Sequence, residues 1–210
     1  MDIIDKKIQI LEKFGHQKSN EAFSPIDNKG NPVPWFTYPA FEFLENLDFS
    51  SKTIFEWGSG NSTLYWSKRC KEIISIDDKE EWTDLVKGAA NVTAMNISGE
   101  DYPTQILNYD DLDVIIVDGI KRLECSKYAI KKIKRGGMII LDNSDWYVGA
   151  CDQLAAADDF IQVDFSGFGP INNYCWSTTL FMHRNFSFSR RRTNIPLPTG
   201  GLVKNLAPDA

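Results

Sequence analysis

Short apolar runs alternate with helical segments between residues 53 and 141, and this alternation constrains the fold more than any other feature. The run at residues 113–117, D-V-I-I-V, is almost continuously apolar, which is typical of a central parallel strand buried on both faces. The other predicted strands lie at residues 53–57, 73–76, 92–97 and 138–141. Helical segments are predicted between them, at residues 62–70, 80–87 and 125–134, the last ending at the Gly136-Gly137 pair. This order predicts a doubly wound, Rossmann-like α/β sheet.

The pattern changes after residue 148. A helix near residues 150–157 is followed by two apolar runs, at 160–165 and 174–182, with only a Gly/Pro/Asn loop between them. Two strands without an intervening helix form an antiparallel hairpin. The prediction is therefore a seven-stranded, mostly parallel sheet with a C-terminal antiparallel hairpin. Residues 33–185 would form this domain, preceded by a helix and loop at 1–32 and followed by an extended or partly disordered tail at 186–210.

A glycine turn follows the first strand of the alternating region, in the sequence E-W-G-S-G-N-S-T at residues 56–63. Gly58 and Gly60 allow a sharp bend and a close backbone approach to a ligand. The dinucleotide fingerprint needs a third glycine where this chain has Thr63. Glu56 would repel a pyrophosphate but would suit a cationic ligand such as S-adenosylmethionine. An NAD(P)-dependent oxidoreductase and a non-catalytic cofactor-binding module are the alternatives.

An acidic pair, Asp77-Asp78, ends the second strand of the alternating region about 20 residues after the glycines. An acid in this position is suited to the diol of a ribose. Because NAD and S-adenosylmethionine both carry that diol, the acidic pair supports a nucleoside cofactor without distinguishing the two.

Four segments together resemble the successive motifs of class I S-adenosylmethionine-dependent methyltransferases: E-W-G-S-G-N-S-T, S-I-D-D, D-V-I-I-V-D-G and G-G-M-I-I-L-D-N-S. The resemblance covers roughly residues 33–183, including the closing hairpin. It implies that Glu56 and the glycine turn hold the methionine end of the cofactor, that Asp77 binds the ribose, and that Ser98 lies beside the adenine. The full set of expected cofactor-binding residues is Tyr38, Glu56, Gly58, Ser59, Gly60, Asn61, Ser62, Asp77, Asp78, Ser98 and Asp118. The first motif resembles that of a bacterial branch associated with sugar and polysaccharide pathways.

Polar side chains also follow the fourth and fifth strands. Asp118 ends one strand and Asp142-Asn143 the next, and adjacent parallel strands bring such residues to the same edge. Their oxygens could form half of a Mg²⁺ shell, and the arrangement resembles metal-dependent catechol-type O-methyltransferases. That resemblance implies Asp118, Asp142 and Asn143 as metal ligands and Lys121 as the base. The alternative is a metal-free site in which Asp118 or Lys121 takes the proton.

Composition limits the acceptor. The net charge of −6 and the pI of about 5.0 argue against nucleic acid, which would need clustered Lys and Arg. No apolar stretch is long enough to span a bilayer, and the four cysteines form no CxxC pair. The sequence predicts a cytoplasmic enzyme that methylates a hydroxyl of a small molecule or saccharide. A homodimer is compatible with the sequence, which does not determine the oligomeric state.

Overall fold

The sheet of the protein has seven strands. The computed structural model describes residues 3–192 and 197–201. The strands are Thr53–Trp57 (β1), Glu72–Asp77 (β2), Val92–Asn96 (β3), Leu112–Val117 (β4), Ile133–Leu141 (β5), Phe160–Gly167 (β6) and Trp176–His183 (β7). Their spatial order is β3-β2-β1-β4-β5-β7-β6, with β7 antiparallel to both of its neighbours and all other pairs parallel. The predicted fold class is confirmed.

Strand β4 lies in the middle of the sheet because its side chains are apolar on both faces. Ile115 and Val117 join one core cluster, while Val114 and Ile116 join a second cluster on the opposite face. All four are fully buried, as the period of two in a strand requires. Burial on both faces fixes the carboxyl end of β4, where Asp118 follows.

Helices cover both faces of the sheet. They are Ile3–Phe14 (α1), His16–Ala22 (α2), Tyr38–Glu45 (α3), Asn61–Ser67 (α4), Glu80–Val86 (α5), Asp101–Thr104 (α6), Arg122–Lys132 (α7) and Val148–Ala155 (α8), with a 3₁₀ turn at Gln105–Asn108. None of the helices in the described ranges is long and apolar enough to cross a membrane. Helix α7 begins three residues earlier than predicted, immediately after the residues that end β4.

The prediction that Gly136-Gly137 ends α7 is wrong, because both glycines lie within β5. A side chain at Gly137 would place its Cβ 2.5 Å from the carbonyl oxygen of Asp113 on β4. Gly136 has a φ of 88°, and the register between β4 and β5 shifts at this point. The glycines therefore allow an irregular, close strand pairing, which is a second common use of glycine in strands.

The N-terminal segment forms two helices where one was predicted at residues 1–20, and it breaks at Gly15. The φ of Gly15 is 81°, and a Cβ there would lie 2.3 Å from the backbone nitrogen of Asn28. The break turns α2 toward the carboxyl ends of the strands. Met1 and Asp2 lie outside the described residues.

The first part of the C-terminal segment runs extended against the domain. Phe186 and Phe188 pack on the core, and Leu47 forms an isolated antiparallel bridge with Arg190. The rest of the predicted tail, at residues 193–196 and 202–210, lies outside the described residues. The proposed division into three segments stays a prediction.

Candidate active site

A cavity of about 530 Å³ opens at the carboxyl ends of the parallel strands. It lies where the strand order reverses on either side of β1, the usual ligand position in open α/β sheets. Nine residues predicted to bind the cofactor or a metal line it: Gly58, Ser59, Gly60, Asn61, Ser62, Asp77, Asp118, Asp142 and Asn143. The fold thus brings together side chains that lie as many as 85 positions apart in the chain.

Gly58 allows the backbone of the glycine turn to lie directly against the residues that follow β4. Its φ is 107°, and a Cβ there would lie 3.0 Å from the backbone carbon of Asp118 and 3.0 Å from the backbone nitrogen of Gly119. A side chain would force the two loops apart. The turn is therefore shaped by backbone contact on one side and leaves its other side open to the cavity.

Glu56 lies beneath this turn rather than in the cavity wall. The side chain is fully buried, and its carboxylate accepts hydrogen bonds from the hydroxyls of Ser62, Thr63 and Ser75. Burial raises the pKa of Glu56 to about 7, against the three hydrogen bonds, which lower it. Glu56 thus anchors the first turn of α4 from behind.

Thr63 occupies the position at which the dinucleotide fingerprint has its third glycine. Its hydroxyl accepts a hydrogen bond from the backbone N–H of Gly60, at 3.1 Å, and donates one to Glu56. A glycine could make neither contact. Thr63 therefore occupies the backbone N–H of Gly60 at the start of α4, a donor that a pyrophosphate would otherwise use.

Asp77 connects the end of β2 to the glycine turn. Its carboxylate accepts hydrogen bonds from the backbone N–H groups of Ser59 and Lys79, both at 2.9 Å. Burial is the largest effect on its pKa, which lies above the ordinary value. These contacts hold the carboxylate at the cavity edge, where it can still accept hydrogen bonds from a diol.

Asp118 and Arg122 form an ion pair at the opposite wall, with 3.1 Å between Nη2 and Oδ1. The Asp118 side chain is 19% exposed and that of Arg122 is 8% exposed. Burial raises the pKa of Asp118 to about 6, while Arg122 acts in the lowering direction and Asp77 in the raising direction. The pair was not predicted, because no local pattern distinguishes Arg122 except its place next to Lys121.

The three predicted metal ligands do lie together, but one side-chain oxygen of each already accepts a hydrogen bond. Asp118 Oδ1 and Asn143 Oδ1 both accept from Arg122, at 3.1 and 3.0 Å. Asp142 Oδ1 accepts from Trp176 and Thr178, and Asp142 is buried with its pKa raised by burial and by Asp118. Among the residues that the structure describes, no group of three or more His, Cys, Asp or Glu side chains could hold a metal ion. The residues present do not fit Mg²⁺, because a guanidinium already donates to Asp118 and Asn143.

Lys121 points away from the cavity. Its Nζ donates to the carbonyl oxygen of Gly99 and to Glu100, both at 3.0 Å. Its backbone adopts a left-handed conformation, with a φ of 50°, at the start of α7. The side chain therefore connects two loops on the surface and is poorly placed to act as a base.

Four other predicted residues lie outside the cavity lining. Ser98 is exposed and lines a neighbouring groove at the end of β3, and Asp78 is half-buried beside Asp77. Tyr38 is buried under the N-terminal segment, stacked on Phe14 at 4.2 Å. The fourth, Glu56, has been described above. The roles predicted for these residues stay predictions.

The remaining walls are largely aromatic. They consist of Phe23, Ser24, Pro25, Trp35, Trp82, Trp146, Asn172 and Tyr174. The residues of the 23–25 loop were not among the predicted site residues. That loop is held over the glycine turn by Asn61, whose amide donates to Ser24 Oγ and to the carbonyl of Pro25, both at 2.9 Å. No local sequence pattern signals a contact over such a separation.

Backbone strain is concentrated around the cavity. Among the described residues, the non-glycine positions with positive φ are Phe23, Asp111, Lys121, Asn143 and Ile171. Phe23 and Asn143 line the cavity, and Lys121 and Ile171 are each next to a lining residue. Such conformations persist only where the surrounding contacts enforce them, and they are common at ligand sites.

No family model matches the chain, and no curated protein matches it either. Solved structures do. One is an O-methyltransferase from Bacillus cereus in complex with SAH, at 17% identity and a TM-score of 0.57, covering 86% of this chain and 91% of that one. A precorrin-6y C5,15-methyltransferase from Geobacter metallireducens has 12% identity and a TM-score of 0.57, covering 69% and 87%. An rRNA methylase from Streptococcus thermophilus has 13% identity and a TM-score of 0.56, covering 70% and 97%.

These structures share the sheet and differ in what they methylate. Their identity to this chain, between 12% and 17%, indicates the fold and no particular acceptor. They do share the overall fold with this chain, at TM-scores of 0.56 and 0.57. The protein therefore has the fold of class I S-adenosylmethionine-dependent methyltransferases.

Proposed function

We propose that the protein is an S-adenosylmethionine-dependent methyltransferase that methylates a hydroxyl group of a small molecule or saccharide. One observation carries the proposal: the glycine turn is surrounded by acids. Asp77, Asp118 and Asp142 line the cavity and Glu56 lies beneath it, against a single lining cation, Arg122, among the described residues. This field favours a ligand with positive charge and disfavours a pyrophosphate.

The cavity offers a place for each part of such a cofactor. The turn of Gly58, Ser59 and Gly60 would lie against the methionine end, and Asp77 would accept hydrogen bonds from the ribose diol. When bound, S-adenosylmethionine supplies an electrophilic methyl group on a sulfonium. The SAH complex of the Bacillus cereus O-methyltransferase supports this ligand class for the fold.

Asp118 is the base in this proposal. It ends β4 at the cavity wall, and its pKa of about 6 is close to the pH at which a cytoplasmic enzyme works. The carboxylate would accept the acceptor's hydroxyl proton while the oxygen bonds to the methyl carbon and the carbon–sulfur electron pair goes to sulfur. Lys121 is the weaker candidate because its amine is directed at Gly99 and Glu100.

The acceptor end of the cavity suits a neutral ring. Trp146 and Tyr174 lie side by side, with 5.9 Å between ring centroids and an angle of 38°, and they are 56% and 45% exposed. Flat, half-exposed aromatic faces bind sugar or aromatic rings through their apolar surfaces. An anionic acceptor would meet three carboxylates in the wall and find no free cation among the described lining residues.

Calorimetry with S-adenosylhomocysteine and with NADH tests the cofactor. We expect the first to bind at micromolar concentration and the second not to bind. Asp77→Ala should weaken S-adenosylhomocysteine binding by about 10- to 100-fold, the loss expected for one or two charge-assisted hydrogen bonds. Asp84→Ala, on the exposed face of α5, is the matched control. Binding of NADH in preference to S-adenosylhomocysteine would overturn the proposal.

A further inference from the structure

The guanidinium of Arg122 uses all of its hydrogen atoms within the protein. Its Nε donates to the carbonyl of Gly119, Nη1 to the carbonyl of Asp142 and to Asn143 Oδ1, and Nη2 to the carbonyl and the carboxylate of Asp118. These five contacts account for the five N–H groups of a guanidinium. No donor is left over for an acceptor.

The position of Arg122 is fixed from both sides. Its guanidinium lies 4.2 Å from the ring centroid of Tyr147, which follows β5, and only 7% of the residue is exposed. Through it, the loop after β4 and the loop after β5 are joined by one permanent charge. A planar, multidentate cation is suited to this task in a way that lysine is not.

We propose that Arg122 takes the place that a divalent cation would occupy between the ends of β4 and β5. It would act as a positioning residue that holds Asp118 and Asn143 toward the acceptor. The oxygens it engages are those of Asp118 and Asn143, two of the three groups predicted as metal ligands. The inference rests on the proposed function in one respect, which is the assignment of this wall to the acceptor. The contacts of Arg122 do not depend on the proposed function.

A guanidinium in place of a metal ion has a consequence for the substrate class. A metal ion held by protein oxygens can chelate two adjacent hydroxyls of an acceptor, whereas a guanidinium with no free N–H cannot bind either one. Deprotonation then depends on Asp118 alone. The acceptor therefore needs only one hydroxyl that Asp118 can reach, and a second, adjacent hydroxyl is not required for binding.

Manganese(II) is the probe for the test, because it broadens NMR signals of groups within its reach. In the wild-type protein, we expect the side-chain amide signals of Asn143 to stay sharp as Mn²⁺ is added to millimolar concentration. In Arg122→Ser, the freed oxygens should bind Mn²⁺ and broaden those signals. Arg122→Lys keeps a cation in place and should restore the sharp signals.

The matched control is Arg135→Ser, which removes an exposed guanidinium at the far end of β5. Saturable broadening of the Asn143 signals in the wild type would overturn the inference, and so would an Arg122→Ser variant whose signals stay sharp. If Arg122→Ser does not fold, Arg122→Gln, which also removes the charge, takes its place in the same comparison, with broadening expected and sharp signals overturning the inference. Binding of S-adenosylhomocysteine, measured on the same samples, tests the proposed function separately.

Discussion

Two acids of this site, Glu56 and Asp118, have different roles although their sequence contexts are similar. Glu56 lies at the end of β1, two residues before Gly58, and Asp118 directly follows β4 and precedes Gly119. Glu56 is enclosed by three hydroxyl donors and organises the turn, whereas Asp118 faces the cavity beside a guanidinium. The environment, rather than the residue type, separates a structural acid from a candidate base.

Glu56 should make the protein less stable as the pH rises. Its folded-state pKa of about 7 lies above the ordinary value of 4.5, so between these values the folded state binds more protons than the unfolded state. The free energy of unfolding therefore falls as the pH rises from about 4.5 to 7, by on the order of 3 kcal/mol. Glu56→Gln should remove this contribution and reduce the difference in Tm between pH 5 and pH 8.

Glu81→Gln, on the exposed side of α5, is the control for that experiment. Thermal unfolding of the three proteins at several pH values provides the measurement. An equal pH dependence in Glu56→Gln and the wild type would mean that Glu56 is not protonated more readily in the folded protein.

Asp118→Asn should separate catalysis from cofactor binding. Asparagine keeps the shape of the side chain and can still accept from Arg122, but it cannot take a proton at neutral pH. We expect the rate of S-adenosylhomocysteine formation to fall by about 10²- to 10⁴-fold, the usual contribution of a general base. The affinity for S-adenosylhomocysteine should change by less than about threefold.

The pH–rate profile gives a second measurement for Asp118. Since the carboxylate form is the active one, the wild-type rate should rise with pH through the pKa of about 6 and then level off. Lys121→Met should leave this profile in place. A variant at Lys121 that abolishes the rate, with Asp118→Asn still active, would reverse the assignment of the base.

At the scale of elements, the 23–25 loop that follows α2 completes the cavity. Helix α2 ends at Phe23, which adopts a left-handed conformation with φ 48° and ψ 40°, the place where a helix usually has glycine. The side chain is 81% exposed and directed at the cavity mouth. A left-handed, largely exposed aromatic residue is costly for folding.

Phe23→Gly should therefore stabilise the protein. Relief of the left-handed strain is worth about 1–2 kcal/mol, and the greater freedom of glycine in the unfolded chain offsets roughly half of that. The expected rise in Tm is about 1–4 °C for a chain of this length. Phe23→Ala removes the same ring but keeps the strain, so it should give no such rise. Equal Tm values for the two variants would show that the backbone at residue 23 is unstrained.

The sequence predicted the elements of the sheet better than the contacts between them. Burial on both faces made β4 recognisable, and the acids at the ends of β2, β4 and β5 follow from strand alternation. The glycines of β5 were misread because a helix C-cap and a tight strand pairing use the same residue. Arg122 and the 23–25 loop could not be predicted, since their roles depend on partners across the fold and on no local period.

At the scale of the whole molecule, the distribution of charge separates acceptor classes that the fold alone leaves open. Structures with this architecture include an rRNA methylase and an O-methyltransferase. This chain has a net charge of −6. Its basic pair Lys131-Lys132 ends α7, whose other end carries Arg122 at the cavity, so about 15 Å of helix separates the two. Lys132 also pairs with Asp110.

RNA should therefore not bind near the cavity. A nucleic-acid substrate needs several cations along its path to the reacting base, and the described lining residues include only Arg122, whose donors are all used. Fluorescence anisotropy with a labelled RNA hairpin at about 50 mM salt should show no saturable binding below roughly 100 µM, the weak end of non-specific affinity. The matched variant Lys131→Glu should behave like the wild type. Micromolar binding that weakens steeply with salt and is lost in Lys131→Glu would instead place a nucleic acid along α7, and the proposed small-molecule or saccharide acceptor would have to be abandoned.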